Sequence, residues 1–168
     1  MNKYLSKMRD LQSRPLSDSA QLGVDQIRTI ESKLNCRLPS DYVEFLESYG
    51  CYSPDAYTYF RYLEPYPRGT RGMLDVFFGV DTKGVYDLVA SYERYRDRMP
   101  AELRPIAGDP GGNVICLAVD GPEKGAVYFW DHENEETVSG GLKPGYSNVY
   151  LIGMSFDDFI ASLELEEP

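Results

Sequence analysis

A single histidine, His132, stands in this chain of 168 residues, inside the acidic run Asp131-His132-Glu133 with Glu135 and Glu136 following. Asp109, Asp120 and Glu123 lie shortly before it. An imidazole beside carboxylates suits general base catalysis, which needs a serine or cysteine nucleophile held within hydrogen-bond reach. No Gly-x-Ser-x-Gly elbow is present, Cys116 falls within an apolar run and Cys51 follows a helix end, so no catalytic residue is assigned. The same side chains are metal-ligand types, but neighbours on an extended strand point to opposite faces. Asp131 and Glu133 would share a side that His132 does not, and no metal site is assigned. Gly111-Gly112 could offer amides to a phosphate, yet the turn opens a strand rather than a helix, lacks a following Lys-Ser/Thr and has acids around it. No nucleotide or other cofactor is expected.

The remaining chemistry is a non-covalent grip on positive charge. Net charge is −10, and the excess is confined to residues 105–168, which carry 12 acidic and 2 basic groups, whereas the first 104 residues carry 15 of each. Such a field repels nucleic acid and anionic lipid and speeds encounter with a basic partner. Arg94, Arg96, Arg98 and Arg104, interleaved with Tyr92 and Tyr95, look at first like a nucleic-acid contact. Glu93, Asp97 and Glu102 cancel that charge, and an exposed helix face with internal pairs is expected instead. Tyr49, Tyr52, Tyr57, Tyr59, Tyr62 and Tyr66, mixed with Arg61, Arg68 and Arg71, have interface composition. The alternative is that several of these tyrosines pack under a loop with hydroxyls in water; Tyr49 belongs to that second group, since it completes a core stripe.

These residues need elements to hold them. Asp109-Pro110-Gly111-Gly112-Asn113 is a turn specified by its own chemistry: glycines for positive φ, a fixed proline, and two side chains that bond nearby amides. Val114 to Val119 is unbroken apolar sequence, expected as a strand covered on both faces, and Val127 to His132 as its partner strand, ending in polar groups. Helical spacing appears at Tyr4, Leu5, Met8 and Leu11; at Val24, Ile27, Ile30 and Leu34; at Tyr42, Phe45, Leu46 and Tyr49, between Pro39 and Gly50; and from Val85 to Met99. Cys51 to Arg71 reads mostly as ordered loop with strand character from Tyr57 to Leu63, and Leu74 to Val80 and Val149 to Ile152 as strands. Ser155 with Asp158 announces a capped last helix, with Met154 and Phe159 spaced for a hydrophobic staple. The elements predict an α+β fold: one antiparallel sheet with helices packed mainly on one side, a helical extension over 1–21 and one domain over 22–168. Three cysteines without paired spacing, no apolar leader and no membrane-length run predict a cytoplasmic protein.

The series Ile27-x-x-Ile30-Glu31-x-x-Leu34, Leu38-Pro39-x-Asp41-Tyr42-x-x-Phe45-Leu46 and Tyr49-Gly50 resembles the amino-terminal signature of the SUKH superfamily, the cell-wall-assembly-regulator-like proteins. Phe78-Gly79-Val80, Pro105-Ile106-Ala107-Gly108-Asp109, Gly111-Gly112-Asn113-x-Ile115-Cys116-Leu117, Val127 to Glu133 and Ser155-Phe156-x-x-Phe159-Ile160 follow in the family's order. The resemblance spans Leu22 to Leu163. It implies a non-enzymatic α+β domain, in bacteria often an immunity protein that neutralises a polymorphic toxin, frequently a nuclease, and in fungi a regulatory module. Under the toxin reading Asp109, Asp120, Glu123, Asp131, Glu133, Glu135 and Glu136 steer a basic toxin domain, with Asn113 and His132 on the same rim. Tyr57, Tyr59 and Trp130 are candidate anchors, Trp130 being equally a core candidate. The competing reading is an interaction module of the same fold with no toxin partner, and a remote third is a metal-dependent hydrolase.

Overall fold

The computed structural model describes residues 2–17, 21–81, 83–135 and 144–166. Stripes of apolar side chains three and four residues apart wind into α1 (Leu5–Asp10), α2 (Val24–Leu34), α3 (Ser40–Leu46), α4 (Leu88–Tyr95) and α5 (Phe156–Ser162). Extended segments form β1 (Ser13–Pro15), β2 (Tyr52–Pro54), β3 (Tyr57–Tyr66), β4 (Gly69–Leu74) and β5 (Val76–Phe77) in the first half. β6 (Leu103–Gly108), β7 (Val114–Ala118), β8 (Val127–Trp130), β9 (Val149–Gly153) and β10 (Glu164–Glu166) follow. Seven strands make one sheet in the order β1-β2-β5-β6-β7-β8-β9, three make a second in the order β10-β3-β4, and all neighbours are antiparallel.

β7 is buried at every residue, as its unbroken apolar run requires. Val114 lies opposite Trp130 and Cys116 opposite Tyr128, so these share a face; Ile115 and Phe129 share the other. Tyr95 covers Trp130 at 5.5 Å between ring centroids, and Met99 meets Cys116, which places α4 and the residues after it on the first face. On the second face Phe60 and Tyr66 of the small sheet pack against Phe129, while Phe45 of α3 packs 5.0 Å from Phe77. Phe45 also joins Tyr4 and Phe156, so α1, α3 and α5 share an aromatic cluster. The fold is α+β with antiparallel sheets and five helices among the described residues. A second sheet, which takes part of the face opposite α4, refines the expected layering.

Several local expectations change. Cys51 to Arg71 is not mainly loop: β3 runs ten residues and pairs with β4, because its alternation places Thr58 and Phe60 in the core while Arg61 and Leu63 face out. The expected strand from Leu74 to Val80 is broken at Asp75, where the chain leaves the small sheet for the large one. α4 starts at Leu88 rather than Val85 because the Asp87 carboxylate accepts from the Ala90 amide at 3.0 Å, a side-chain N-cap. Val24 stands out from its stripe at 57% exposure. Ser155 caps α5 through the Asp158 amide at 3.0 Å, but Met154 points to water, so no staple forms. Gly50 does not close α3, which ends at Leu46; it lies instead against Gly79. The leading segment is bound into the core, with Tyr4, Met8 and Leu11 buried and β1 paired to β2.

Candidate protein-binding surface

The Asp109–Asn113 turn organises one end of the large sheet. Asp109 Oδ1 accepts from the amides of Gly111 (2.9 Å) and Asn113 (2.7 Å), and its Oδ2 accepts from Asn113 Nδ2 at 2.8 Å. Gly112 takes φ +87°, the left-handed conformation for which glycine has no penalty. Asn113 then reaches across to the end of β8, where its Oδ1 accepts from the backbone amide of His132 at 3.1 Å and lies 2.6 Å from His132 Nδ1. With Asn113 Nδ2 committed to Asp109, the oxygen faces the ring, and His132 carries its proton on Nδ1. The histidine is thus a strap between two turns.

Asp131 is the hub beside it, with no solvent exposure. Its Oδ1 accepts from the Glu133 amide, and its Oδ2 from Tyr66 Oη at 3.0 Å, Asn134 Nδ2 at 2.7 Å and Arg68 Nη2 at 3.1 Å. Asn148 and Asp131 exchange two further bonds, each 2.9 Å, through the Asp131 backbone. A carboxylate removed from water requires this number of donors. Burial, then the bond to Asp131, pushes the Tyr66 phenol up to about 12. Arg68 also pairs with Glu133, and Arg98 holds Glu135 through two bonds of 2.8 and 2.7 Å. The bonds from Arg98 hold the Glu135 carboxyl below its ordinary range.

The expected group of seven acids is therefore not one patch. Asp109, Asp131, Glu133 and Glu135 are gathered with Asn113 and His132 at one end of the sheet. Asp120 and Glu123 lie beyond the opposite end of β7, separated by its five residues, on the order of 15 Å. Glu136 lies outside the described residues. The sequence also overstates the free negative charge, because two arginines, residues 68 and 98, far off in the chain, pair with Asp131, Glu133 and Glu135 and offset two of their three charges. Trp130 is fully buried, with Tyr95 and Arg98 over its ring, and cannot anchor a partner. Tyr57 and Tyr59 sit at the far end of β3 from Tyr66, beside β10, where Arg71 lies 3.9 Å above the Tyr59 ring. They do not join the rim.

Residues 22–162 match the SMI1 / KNR4 family (SUKH-1). The chain belongs to this family. The SUKH-1 match takes in every described rim residue and leaves α1, β1 and β10 outside it. Among curated relatives, the SPbeta prophage-derived uncharacterized protein YokK of Bacillus subtilis (strain 168) is 33% identical over 157 residues, covering 86% of this chain and 75% of that protein.

Tyr66, Arg68, Arg98 and Asn134 complete the rim; the sequence offered Tyr66 and Arg68 only within the Tyr/Arg group of interface composition, and Arg98 and Asn134 not at all as rim residues. Pro67-Arg68-Gly69, a proline and a glycine flanking a cation, is the signal that could have placed Arg68 in a hairpin turn. No group of three or more His, Cys, Asp or Glu among the described residues is placed to hold a metal ion, and no helix among them is long and apolar enough to cross a membrane. The three cysteines are free thiols, and burial pushes that of Cys116 far up.

Proposed function

We propose that this protein is a non-enzymatic immunity protein that binds a cationic toxin domain, a nuclease being the chemistry that requires such charge, and occludes its active surface. Membership in SUKH-1 supports this reading, as does a relative described as prophage-derived. The observation that carries it is the construction of the rim. Glu133 and Glu135 stand at the surface while Arg68 and Arg98 hold their carboxylates in place, and the buried Asp131 fixes Arg68 from behind. A partner's lysines or arginines then meet acceptors whose ordering has already been achieved, which lowers the entropic cost of association. The half-exposed guanidiniums add donors for polar groups of the same partner, a Tyr/Arg mixture typical of binding centres. Long-range attraction comes from the whole chain at −10.

Coexpression with the basic carboxy-terminal domain of a secreted protein, where one is encoded beside this chain, tests the reading. The parent chain is expected to copurify with that domain and to restore growth, and failure to do both overturns the immunity function. Glu133→Lys with Glu135→Lys is expected to slow association about tenfold and flatten its salt dependence. Unchanged kinetics would move the contact away from the rim.

A further inference from the structure

A second surface lies between α2 and α4, away from the rim. The two helices touch, and an open trough of about 710 Å3 runs between them. Its floor is apolar, made by Ile30, Val80 and Val89. Its edges carry Asp25, Asp87 and Glu93 against the single cation Lys33. Asp87 spends its carboxylate on the Asp81 and Ala90 amides, but Asp25 and Glu93 have no ion-pair partner among the described residues. This is the reverse of the rim, where guanidiniums already meet Glu133 and Glu135.

We propose that this trough docks an amphipathic helix of a protein partner, one with apolar side chains on one face and Lys or Arg along its borders. The occupant is a helix because two of the walls are helices, and the third, Gly79–Val80, already has its Gly79 amide and carbonyl bonded to Tyr86 and Leu88 and its Val80 carbonyl to Ser17, which leaves no strand edge there for an extended peptide to join. A third helix lying on two others seats its side chains between theirs. The occupant is basic because the unmatched charge on the borders is negative. A second copy of the chain would bring −10 more of the same sign, a long-range repulsion that opposes it as the occupant. None of the rim residues lines the trough, so the inference holds whether or not the partner is a toxin.

The test uses the full chain and a fluorescein-labelled, amidated peptide with leucines at helical spacing flanked by lysines, together with a twin in which every lysine is glutamate. Anisotropy is expected to show saturable binding of the lysine peptide only, and amide shifts on titration are expected to centre on Ile30 and Val89. Asp25→Asn with Glu93→Gln, substitutions that keep shape, is expected to weaken binding at least about tenfold with an unchanged melting temperature. Glu133→Lys with Glu135→Lys is expected not to weaken it. Equal binding of both peptides, shifts centred elsewhere, or no saturation by about 1 mM overturns the proposal and leaves the immunity reading standing.

Discussion

The guanidinium of Arg68 lies 3.1 Å from the carboxylate of Asp131, and only the arginine touches water: 46% of its side chain is exposed against 0% for the acid. This bond fastens the β3–β4 turn to the end of β8 and so joins the small sheet to the large one. Tyr66, two residues before Arg68, repeats the connection through its hydroxyl and through ring contacts with Phe129 and Tyr150. The rim of the proposed binding surface is thus also a seam of the fold.

Asp131→Ala is therefore expected to destabilise the protein by about 2–4 kcal/mol, since it orphans Tyr66 and Asn134, removes the cap of the short turn after it and empties a buried site. Asp131→Asn, which keeps an acceptor, is expected to lose less. Urea denaturation of both variants checks the order, and equal losses would mean that the acceptor kept by asparagine contributes nothing and that the charge, which both variants remove, carries the effect.

Acid is expected to weaken the fold through carboxylates held by their partners, Glu135 and Asp157 among them. Glu135, held by Arg98, has its folded pKa below the ordinary 4.5. Asp157 is pushed up by burial, but the Tyr4 and Lys3 hydrogen bonds and the Lys3 charge outweigh that and leave it below the ordinary 3.8. A lowered folded pKa means that the unfolded chain takes up protons first. The stabilisation is thus fully present above the unfolded values and disappears as pH falls through the folded ones. Partly exposed partners limit each contribution to about 1 kcal/mol or less. Melting temperature measured from neutral pH downward should fall in this window, and more shallowly for Glu135→Gln.

Gly79→Ala is expected to be severe, at least about 3 kcal/mol or failure to fold. A Cβ there would lie 1.7 Å from the Gly50 carbonyl oxygen and 2.0 Å from its carbon, both backbone atoms that no rotamer change can move. Thermal melts of the purified variant, or its yield if none can be purified, read this out. A melting temperature close to that of the parent would show that the two segments can separate.

Asn113→Ala cuts the strap from Asp109 to His132 and is expected to cost about 1–2 kcal/mol. The imidazole would then be free to take either tautomer, so nitrogen-15 spectra should show Nδ1 protonated in the parent and a mixture in the variant. An unchanged tautomer would deny Asn113 its orienting role.

The elements whose formation depends on neighbours in sequence were legible without the structure. The Asp109–Asn113 turn, the doubly covered β7, the Ser155 cap, and the buried faces of α2 at Ile27, Ile30 and Leu34 and of α3 at Tyr42, Phe45 and Leu46 all follow from local hydrogen bonding and apolar period. The family signature was legible for the same reason, being a fixed order of such local patterns. Decisions that pit one distant segment against another were not. Whether Tyr57 to Tyr66 lies as loop or strand depends on β4 and β10 arriving on either side, and whether Trp130 faces water depends on α4 covering it. Charge behaved likewise. Residues 105–168 are acid-rich whatever the fold, but a carboxylate's field depends on the nearest cation in space, and only tertiary structure brings Arg68 and Arg98 to Asp131, Glu133 and Glu135 while carrying Asp120 and Glu123 to the other end of the sheet.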